Sequence, residues 1–551
     1  MTLDAFTEHY RDLLDGTYDC VDRIVLNAYF PLAQSPGGFR TWWRLLMGGD
    51  DTLDNTHLMR FAGRFSRRVR AFAKSKGIPV IDCKRGQRKH RLAEEHIPTD
   101  PEFCGIFCII VGRMQAPVRE IRVFKNGTVD IRKKDPMPFV NHYSFHIIDP
   151  EWGHLIVKIC PHPPFGAQII LNGHEYVARQ ATKNGISFAK DGNCFTNISN
   201  AAGLAGVADT MTASRCVGRL VSVCERWIYS SCLCFALDLE EQRRSRFGYA
   251  FSVIQAEYSR NLLFHSGRIM QRVFDSVIDR TRSLLNIKRL KTIFGRRNRP
   301  YRRDKNGRPP RFEAVIETPT YGLTVFKVHF GKLTAKMYSK GERVLRIEAI
   351  AHNTHDLRCG KIIPKFPAIV GALRDIVEHF LSVVHSVDIS FIDDGTLETW
   401  PSSSKVGATP VPGINVNSPR TCAVMQAMIA LAPTRPLGFT VADLASKVRE
   451  ILNVPQTRYA NSHASYDLRK LRGKTLVRRV PKSFRYQAPA SALRTMTAVL
   501  VLRDKVLKPL LANAGKRSTA RKPKGYSKID AQYDRLQVEM QRLFSLLGIA
   551  A

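Results

Sequence analysis

The segment 140–162, VNHYSFHIIDPEWGHLIVKICPH, carries the densest set of side chains able to do chemistry. Read as two strands turning at DPEWG, its alternate residues fall on opposite faces. Tyr143, Phe145 and Ile147 then match Leu155, Val157 and Ile159 on an apolar side. The other side receives His142, Ser144 and His146 from one strand and His154, Lys158 and Cys160 from the next. Imidazoles and an ammonium group near carboxylates suit general acid–base work or a metal-activated water. His142 and His146 lie roughly 13 Å apart along a strand, so they cannot share an ion directly. A metal would need a further donor from Asp149, His162, His174 or Glu175. His174 and Glu175 belong to the tetrapeptide NGHE, where the strand AQIIL meets a helix, a common place for site residues. The expected centre gathers His142, Asp149, Lys158, His174 and Glu175, with Mg2+ or Mn2+ as the ion it would take. A lone histidine is usually structural; the clustering is the argument for chemistry.

A second hairpin, KLTAKMYSKGERVLRIEAIAHNTHD, offers a different nucleophile. The register that matches Leu333, Ala335 and Met337 with Leu345, Ile347 and Ala349 groups Lys336, Tyr338, Arg346 and Glu348 on the opposite face. The pattern K-x-Y-x-K followed by L-R-x-E resembles a strand pair in the replication initiators of rolling-circle plasmids and filamentous phages. That resemblance implies DNA nicking by a tyrosine with a divalent metal, and makes Tyr338 and Glu348 a second candidate catalytic group. The His-hydrophobe-His metal motif of many such enzymes is absent from this sequence. A salt-bridged Lys-Arg-Glu surface accounts for the same residues. More broadly, NHYSFHIID, LNGHEYVARQ, IQAEYSRNLLF, KMYSKGERVLRIEAIAHN and YDLRKLRGKTLV resemble a wide set of bacterial proteins with no assigned activity, which implies a bacterial origin.

Other chemistries are excluded by what the sequence lacks. There is no GxxxxGK[ST] phosphate loop, no GxSxG, no HExxH and no paired CxxC, which argues against an ATP-driven motor or a serine hydrolase. The 12 cysteines sit mostly in apolar runs such as CGIFCIIVG, as buried reduced thiols do. Cys104/Cys108 and Cys232/Cys234 have no partner pair at zinc-ligand spacing. With 85 Lys+Arg against 48 Asp+Glu, the net charge is +37. An excess of that size calls for a polyanion, and its spread over several regions favours nucleic acid over a membrane surface. No apolar run is long enough for a span, and the acidic, polar N-terminus MTLDAFTEHYRDLLDG argues against a signal peptide. A cytoplasmic location is expected, with association with the nucleoid as one option within it.

The elements that would present these groups follow from periodicity. Residues 1–102 read as mainly helical, with Leu58, Phe61, Phe65 and Val69 on one face of a helix over 57–76 and arginines elsewhere. Residues 103–195 read as an α+β unit of hairpins, one of them turning at Asn126-Gly127. Residues 196–310 read as helical, ending in a segment over 286–311 with 11 Lys/Arg and one acid. Within it Arg296, Arg297, Arg299, Arg302 and Arg303 flank Tyr301 and suit a phosphate backbone; a basic linker is the plainer account. Residues 311–391 read as a β meander plus helix, and 392–419 as a linker.

Residues 420–513 resemble a winged helix-turn-helix. Thr440 with Asp443 caps a helix carrying Val441, Leu444, Val448 and Leu452. A second helix buries Ala464, Leu468 and Leu471 and stops at Gly473. Its outward residues Ser465, Arg469, Lys470 and Arg472 are sized for a major groove. Two short strands around Pro481 form a wing whose Arg478, Arg479, Lys482 and Arg485 could reach phosphates. A winged helix used for RNA or protein contacts has the same pattern. Residues 514–551 are a basic tail and terminal helix. The expected architecture is thus multidomain α+β: helical N-terminal part, β-rich centre with inserted helices, C-terminal winged helix. Its expected partner is DNA or a large structured RNA, with no membrane. Catalysis by a metal-dependent phosphodiesterase and non-catalytic binding of RNA remain alternatives.

Overall fold

Alternating apolar and polar residues in LDGTYDCVDRIVLNAY make a 16-residue strand, β1 (Leu14–Tyr29). Within residues 1–102, read as mainly helical, the helices Ala5–His9, Pro36–Leu46, Asn55–Lys76 and Lys89–Glu94 form, and this long strand, which that reading did not include, stands among them. The structure is a computed structural model. It describes residues 4–124, 129–284, 290–292, 313–320, 323–330, 332–388 and 399–507 apart from 434, 436 and 482, with a few positions between 531 and 539.

The chain is mixed α/β, consistent with α+β, around one 12-stranded sheet. Along the chain β1 is followed by β2 (Val80–Asp82), β3 (Gly105–Gln115), the β4 (Arg119–Val123) and β5 (Val129–Lys133) hairpin, β6 (Phe139–Asp149), β7 (Gly153–Ile159) and β8 (Ala167–Asn172). A short hairpin, β9 (Ala189–Lys190) with β10 (Phe195–Thr196), precedes the 15-residue β11 (Ala250–Phe264). Then come β12 (Leu290–Thr292), β13 (Glu313–Thr320), β14 (Leu323–Phe330), β15 (Leu333–Lys340) and β16 (Val344–Ala351). The spatial order is β12-β13-β14-β15-β16-β11-β1-β8-β7-β6-β3-β2. Segments read separately as 1–102, 103–195, 196–310 and 311–391 therefore all add strands to one sheet.

That order repeats itself. The long strands β1 and β11 lie side by side and antiparallel at the centre. Each leads through helix into a short outer strand, β2 or β12, paired parallel to the outermost strand of a four-stranded antiparallel meander. The last strand of each meander, β8 or β16, returns to pair with the long strand that began its half.

The two faces of the sheet differ. Ala167, Ile169 and Leu171 of β8 and Leu155, Val157 and Ile159 of β7 are buried, whereas their alternate neighbours are half-exposed. The packed face takes the Asn55–Lys76 helix, where Phe65 meets Tyr143, and the long Phe366–Asp388 helix against β11 and β16. Beneath the latter, Arg260 binds Asp19 and Asp4, and Tyr258 donates to Asp19 at 2.6 Å. On the Asn55–Lys76 helix, Arg64 pairs with Glu241 at 2.7 Å and Arg68 with Asp238 at 3.7 Å, so part of its basic surface is already neutralised.

After the sheet, the helices Pro419–Leu431, Val441–Leu452, Asn461–Gly473 and Ala490–Val501 enclose a second core that meets the first along Phe366–Asp388. The Thr440–Asp443 capping box forms as the sequence predicts. Between Asn461–Gly473 and Ala490–Val501 stands a two-stranded hairpin, Arg478–Arg479 with Tyr486–Gln487, and Phe439 bridges to Tyr486. The linker expected over 392–419 is partly a hairpin, Ser404–Val406 with Thr409–Val411. It explains Gly473: a Cβ there would lie 2.3 Å from Ser404 Oγ, so close packing selects glycine, and the left-handed residue of this turn is Thr475 instead. All 12 cysteines are free. Among the described residues no helix is long and apolar enough to cross a membrane. The 286–311 basic segment, with Arg296, Arg297, Arg299, Arg302 and Arg303, lies outside the described residues except for β12, as do Lys482 and most of the terminal helix.

Candidate functional site on the open sheet face

The open face of the central strands is polar because the sequence alternates that way. In β11, Gln255, Glu257, Ser259 and Asn261 point to it while Ala256, Tyr258, Arg260 and Leu262 point to the packed side. In β16 and β15 the same face receives Arg346 and Glu348, paired in register with Tyr338 and Lys336. In β1 a bulge between Val21 and Ile24 adds a residue and re-aims Asp22 toward Ser259. His174, the second residue of the Gly173–Lys183 helix, comes down beside it. That approach requires glycine at 173, since a Cβ would lie 1.7 Å from the Val21 carbonyl oxygen.

Two linked groups result. In the first, Asp22 Oδ1 accepts from Ser259 at 2.9 Å and stands 2.9 Å from His174 Nδ1. Arg346 reaches His174 Nε2 at 3.2 Å and lies 3.7 Å from Asp22, while its Nε donates to Asn261 at 2.7 Å and an amino group donates to the Asn193 carbonyl. All of Asp22, His174, Asn261 and Arg346 are buried. Burial works to raise the Asp22 carboxyl, but Arg346 and His174 outweigh it and hold it low. Burial lowers the His174 imidazole, against Asp22, which favours its charged form. A neutral ring with Nδ1–H toward Asp22 and Nε2 accepting from Arg346 satisfies this arrangement.

In the second group, Glu348 accepts from Lys336 at 2.6 Å and from the Tyr338 hydroxyl at 3.0 Å. Burial, then Glu348, pushes the Tyr338 phenol above its ordinary value. Lys336 sits 4.9 Å from the Tyr338 ring centre. Glu257 stands between the groups; burial, Glu348 and Asp22 push it up to about 7. Gln255 donates to it at 2.9 Å.

Of the seven candidate catalytic residues, His174, Tyr338 and Glu348 thus converge through Arg346. The others do not join them. Asp149 is fully buried on the packed side: it accepts two backbone N–H groups of its own turn at 2.8 Å, Arg226 at 2.6 Å and Trp227 at 2.7 Å. Its four hydrogen bonds make it a structural anchor for the DPEWG turn. Glu175 pairs with Lys190. His142 and Lys158 stay on the open face, in the other half of the sheet. The single centre expected around Asp149 is corrected accordingly; residue 149 has the parity of Tyr143, Phe145 and Ile147 and faces with them.

The donor set also tests the expected metal. Cys20, Asp22 and His174 are the one group of three or more His, Cys, Asp or Glu among the described residues whose donor atoms lie within 4.8 Å of one another. A thiol, an imidazole and one carboxylate are a poor set for Mg2+ or Mn2+, which select oxygen. Burial holds the Cys20 thiol well above its ordinary value, so it stays protonated. The cation seated against Asp22 and His174 is the Arg346 guanidinium. These residues do not fit the expected ion.

In the C-terminal part, Ser465, Arg469, Arg478 and Arg479 are exposed, and Lys470 and Arg472 half-exposed. Arg485 is half-exposed and donates to the Gly438 carbonyl at 2.8 Å. Phe484 at the hairpin tip is 85% exposed, with Arg479 5.5 Å from its ring centre. Reasoning from the sequence missed Asp22 and Glu257; the alternation in IQAEYSRN is the signal for Glu257, whereas Asp22 depends on a bulge. No family model, curated protein or solved structure matches this chain.

Proposed function

We propose that this chain is a nucleic-acid-binding protein that grips its target through a C-terminal winged helix-turn-helix. One observation carries the reading. Arg469, Lys470, Arg472, Arg478 and Arg479 share one helix and the adjoining hairpin, and none pairs with a carboxylate among the described residues. The nearby acids are taken elsewhere: Asp467 by Arg420, Asp443 by Arg435 and Glu450 by Lys447. Unneutralised cations beside an exposed aromatic suit a phosphate backbone and a base. The test measures binding of labelled duplex DNA and of folded RNA by full-length protein and by the Arg469→Ala/Arg478→Ala/Arg479→Ala variant. Loss of binding in the variant supports the reading, and preference between the two probes assigns DNA or RNA. Binding by neither probe at low salt refutes it.

A second reading, strand cleavage, is favoured by the Tyr338–Glu348 hydrogen bond. In it the Tyr338 oxygen attacks a backbone phosphorus while Glu348 accepts the phenolic proton. The displaced sugar oxygen leaves, and Lys336 and Arg346 balance charge nearby. A covalent protein–DNA adduct that disappears in Tyr338→Phe, with duplex binding retained, would support it. Equal adduct yield in that variant would exclude Tyr338.

A further inference from the structure

Removing Asp149 from the expected centre leaves a cluster with no acid in it. On β6 and β7, Ser144 faces Lys158 directly across the strands. Lys89, from the Lys89–Glu94 helix, reaches over Gly112 and brings its Nζ to 3.4 Å from Ser144 Oγ. The absence of a side chain at Gly112 leaves room for this pose, since a Cβ would lie 2.8 and 2.9 Å from Lys89 Cε and Nζ and displace the lysine. His142, next along the same face of β6, is cross-strand neighbour to Gly112. His162, just past β7, is 9% exposed, and its Nδ1 has no hydrogen-bond partner. Neither lysine pairs with a carboxylate among the described residues.

The repeated topology supplies an internal comparison. On the corresponding strand pair of the other half, Lys336 of β15 faces Glu348 of β16 and binds it at 2.6 Å. Lys158 of β7 faces Gln168 of β8, a neutral amide. Two adjacent, partly desolvated ammonium groups without a counter-charge are costly, and a bound anion relieves that cost. Burial and Lys89 lower the Lys158 amine to about 8, the mark of a desolvated ammonium beside a like charge.

We propose that Lys89, Lys158, Ser144, His142 and His162 form a binding site for a phosphate group on the open face of β6 and β7. Two ammonium donors and a hydroxyl converge on one side of the sheet, and the imidazoles supply further N–H donors once an anion favours their protonation. The phosphate comes either from the end of a nucleic-acid strand or as free phosphate. The site does not depend on the winged helix, so it survives failure of the reading above.

The test titrates full-length protein calorimetrically with inorganic phosphate. In parallel it uses two single-stranded oligonucleotides identical except for a 5′ phosphate. Tighter binding of the phosphorylated strand identifies a strand end as the source; binding of inorganic phosphate without that preference identifies free phosphate. Either increment falls by about tenfold or more in Lys89→Met/Lys158→Met, since each lost charge-assisted bond is worth roughly that factor. Gln168→Glu provides a second variant that keeps both lysines and gives Lys158 an internal counter-ion, and it also abolishes phosphate binding. Arg469→Ala/Arg478→Ala leaves the phosphate increment unchanged. Absence of both increments in the wild type, or wild-type binding by folded Gln168→Glu, overturns the proposal.

Discussion

Glu257 yields a prediction whose sign follows from the sheet. Its carboxyl has an ordinary value of 4.5 and stands at about 7 in the fold, raised by burial and by Glu348 and Asp22. The folded state therefore holds a proton between pH 4.5 and 7 that the unfolded chain has released. Stability from this group is fully present below 4.5 and lost as pH rises toward 7. At about 1.36 kcal/mol per tenfold in proton affinity, the gap of 2.5 amounts to roughly 3.4 kcal/mol. Residual solvent contact reduces this to about 2 kcal/mol. Glu257→Gln removes the charge and keeps an acceptor for Gln255, so it is stabilising above pH 7 and near neutral at pH 5. Thermal unfolding of both proteins at pH 5 and 8 checks this: the variant's midpoint is higher at pH 8 by about 2 °C, and the difference shrinks at pH 5. A variant equally stable at both pH values, or less stable at pH 8, would refute the claim that three carboxylates crowd this face.

Other perturbations test separate parts of the structure. Asp22→Ala leaves Arg346 buried beside His174 without its carboxylate and lowers stability by about 3–5 kcal/mol; an unchanged unfolding midpoint would contradict the network. Gly413→Ala places a Cβ 1.8 Å from the Pro401 carbonyl oxygen and destabilises the second core, whereas Gly166→Ala, with nothing within 4 Å, is tolerated; calorimetry distinguishes them. Replacing Arg478 and Arg479 with alanine lowers the slope of log affinity against log salt by about 2 for duplex DNA. An unchanged slope would remove the hairpin from the interface.

Both chemistry-bearing hairpins were legible in the sequence because a strand period of two fixes faces once the register is known. Tyr143–Ile159, Phe145–Val157 and Ile147–Leu155 pair as alternation requires, as do Lys336–Glu348 and Tyr338–Arg346. Alternation could also have excluded Asp149 from the histidine face, since 142 and 149 differ in parity. What the local pattern could not contain is long-range pairing. β1 joins β11 more than 200 residues away, as Tyr258–Asp19 and Ser259–Asp22 do by hydrogen bonds with separations of 239 and 237. Asp22 reaches the site only through a bulge, which no period reveals.

The duplicated sheet gives these assignments a common physical cause. Each half presents lysine on the third strand of its meander toward the same open face, and the residue opposite on the fourth strand decides what that lysine does. Opposite Lys336 stands Glu348, so its charge is spent within the protein and the carboxylate is also held against the Tyr338 hydroxyl. Opposite Lys158 stands Gln168, so its charge stays available to an external anion. The central strands add Asp22 and Glu257 to the first half of this contrast, and Lys89 adds a second cation to the other. On one face the ion-paired centre of β15, β16, β11 and β1 and the cationic pocket of β6 and β7 are thus separated by β8, whose residues on that side, Gln168, Ile170 and Asn172, carry no charge.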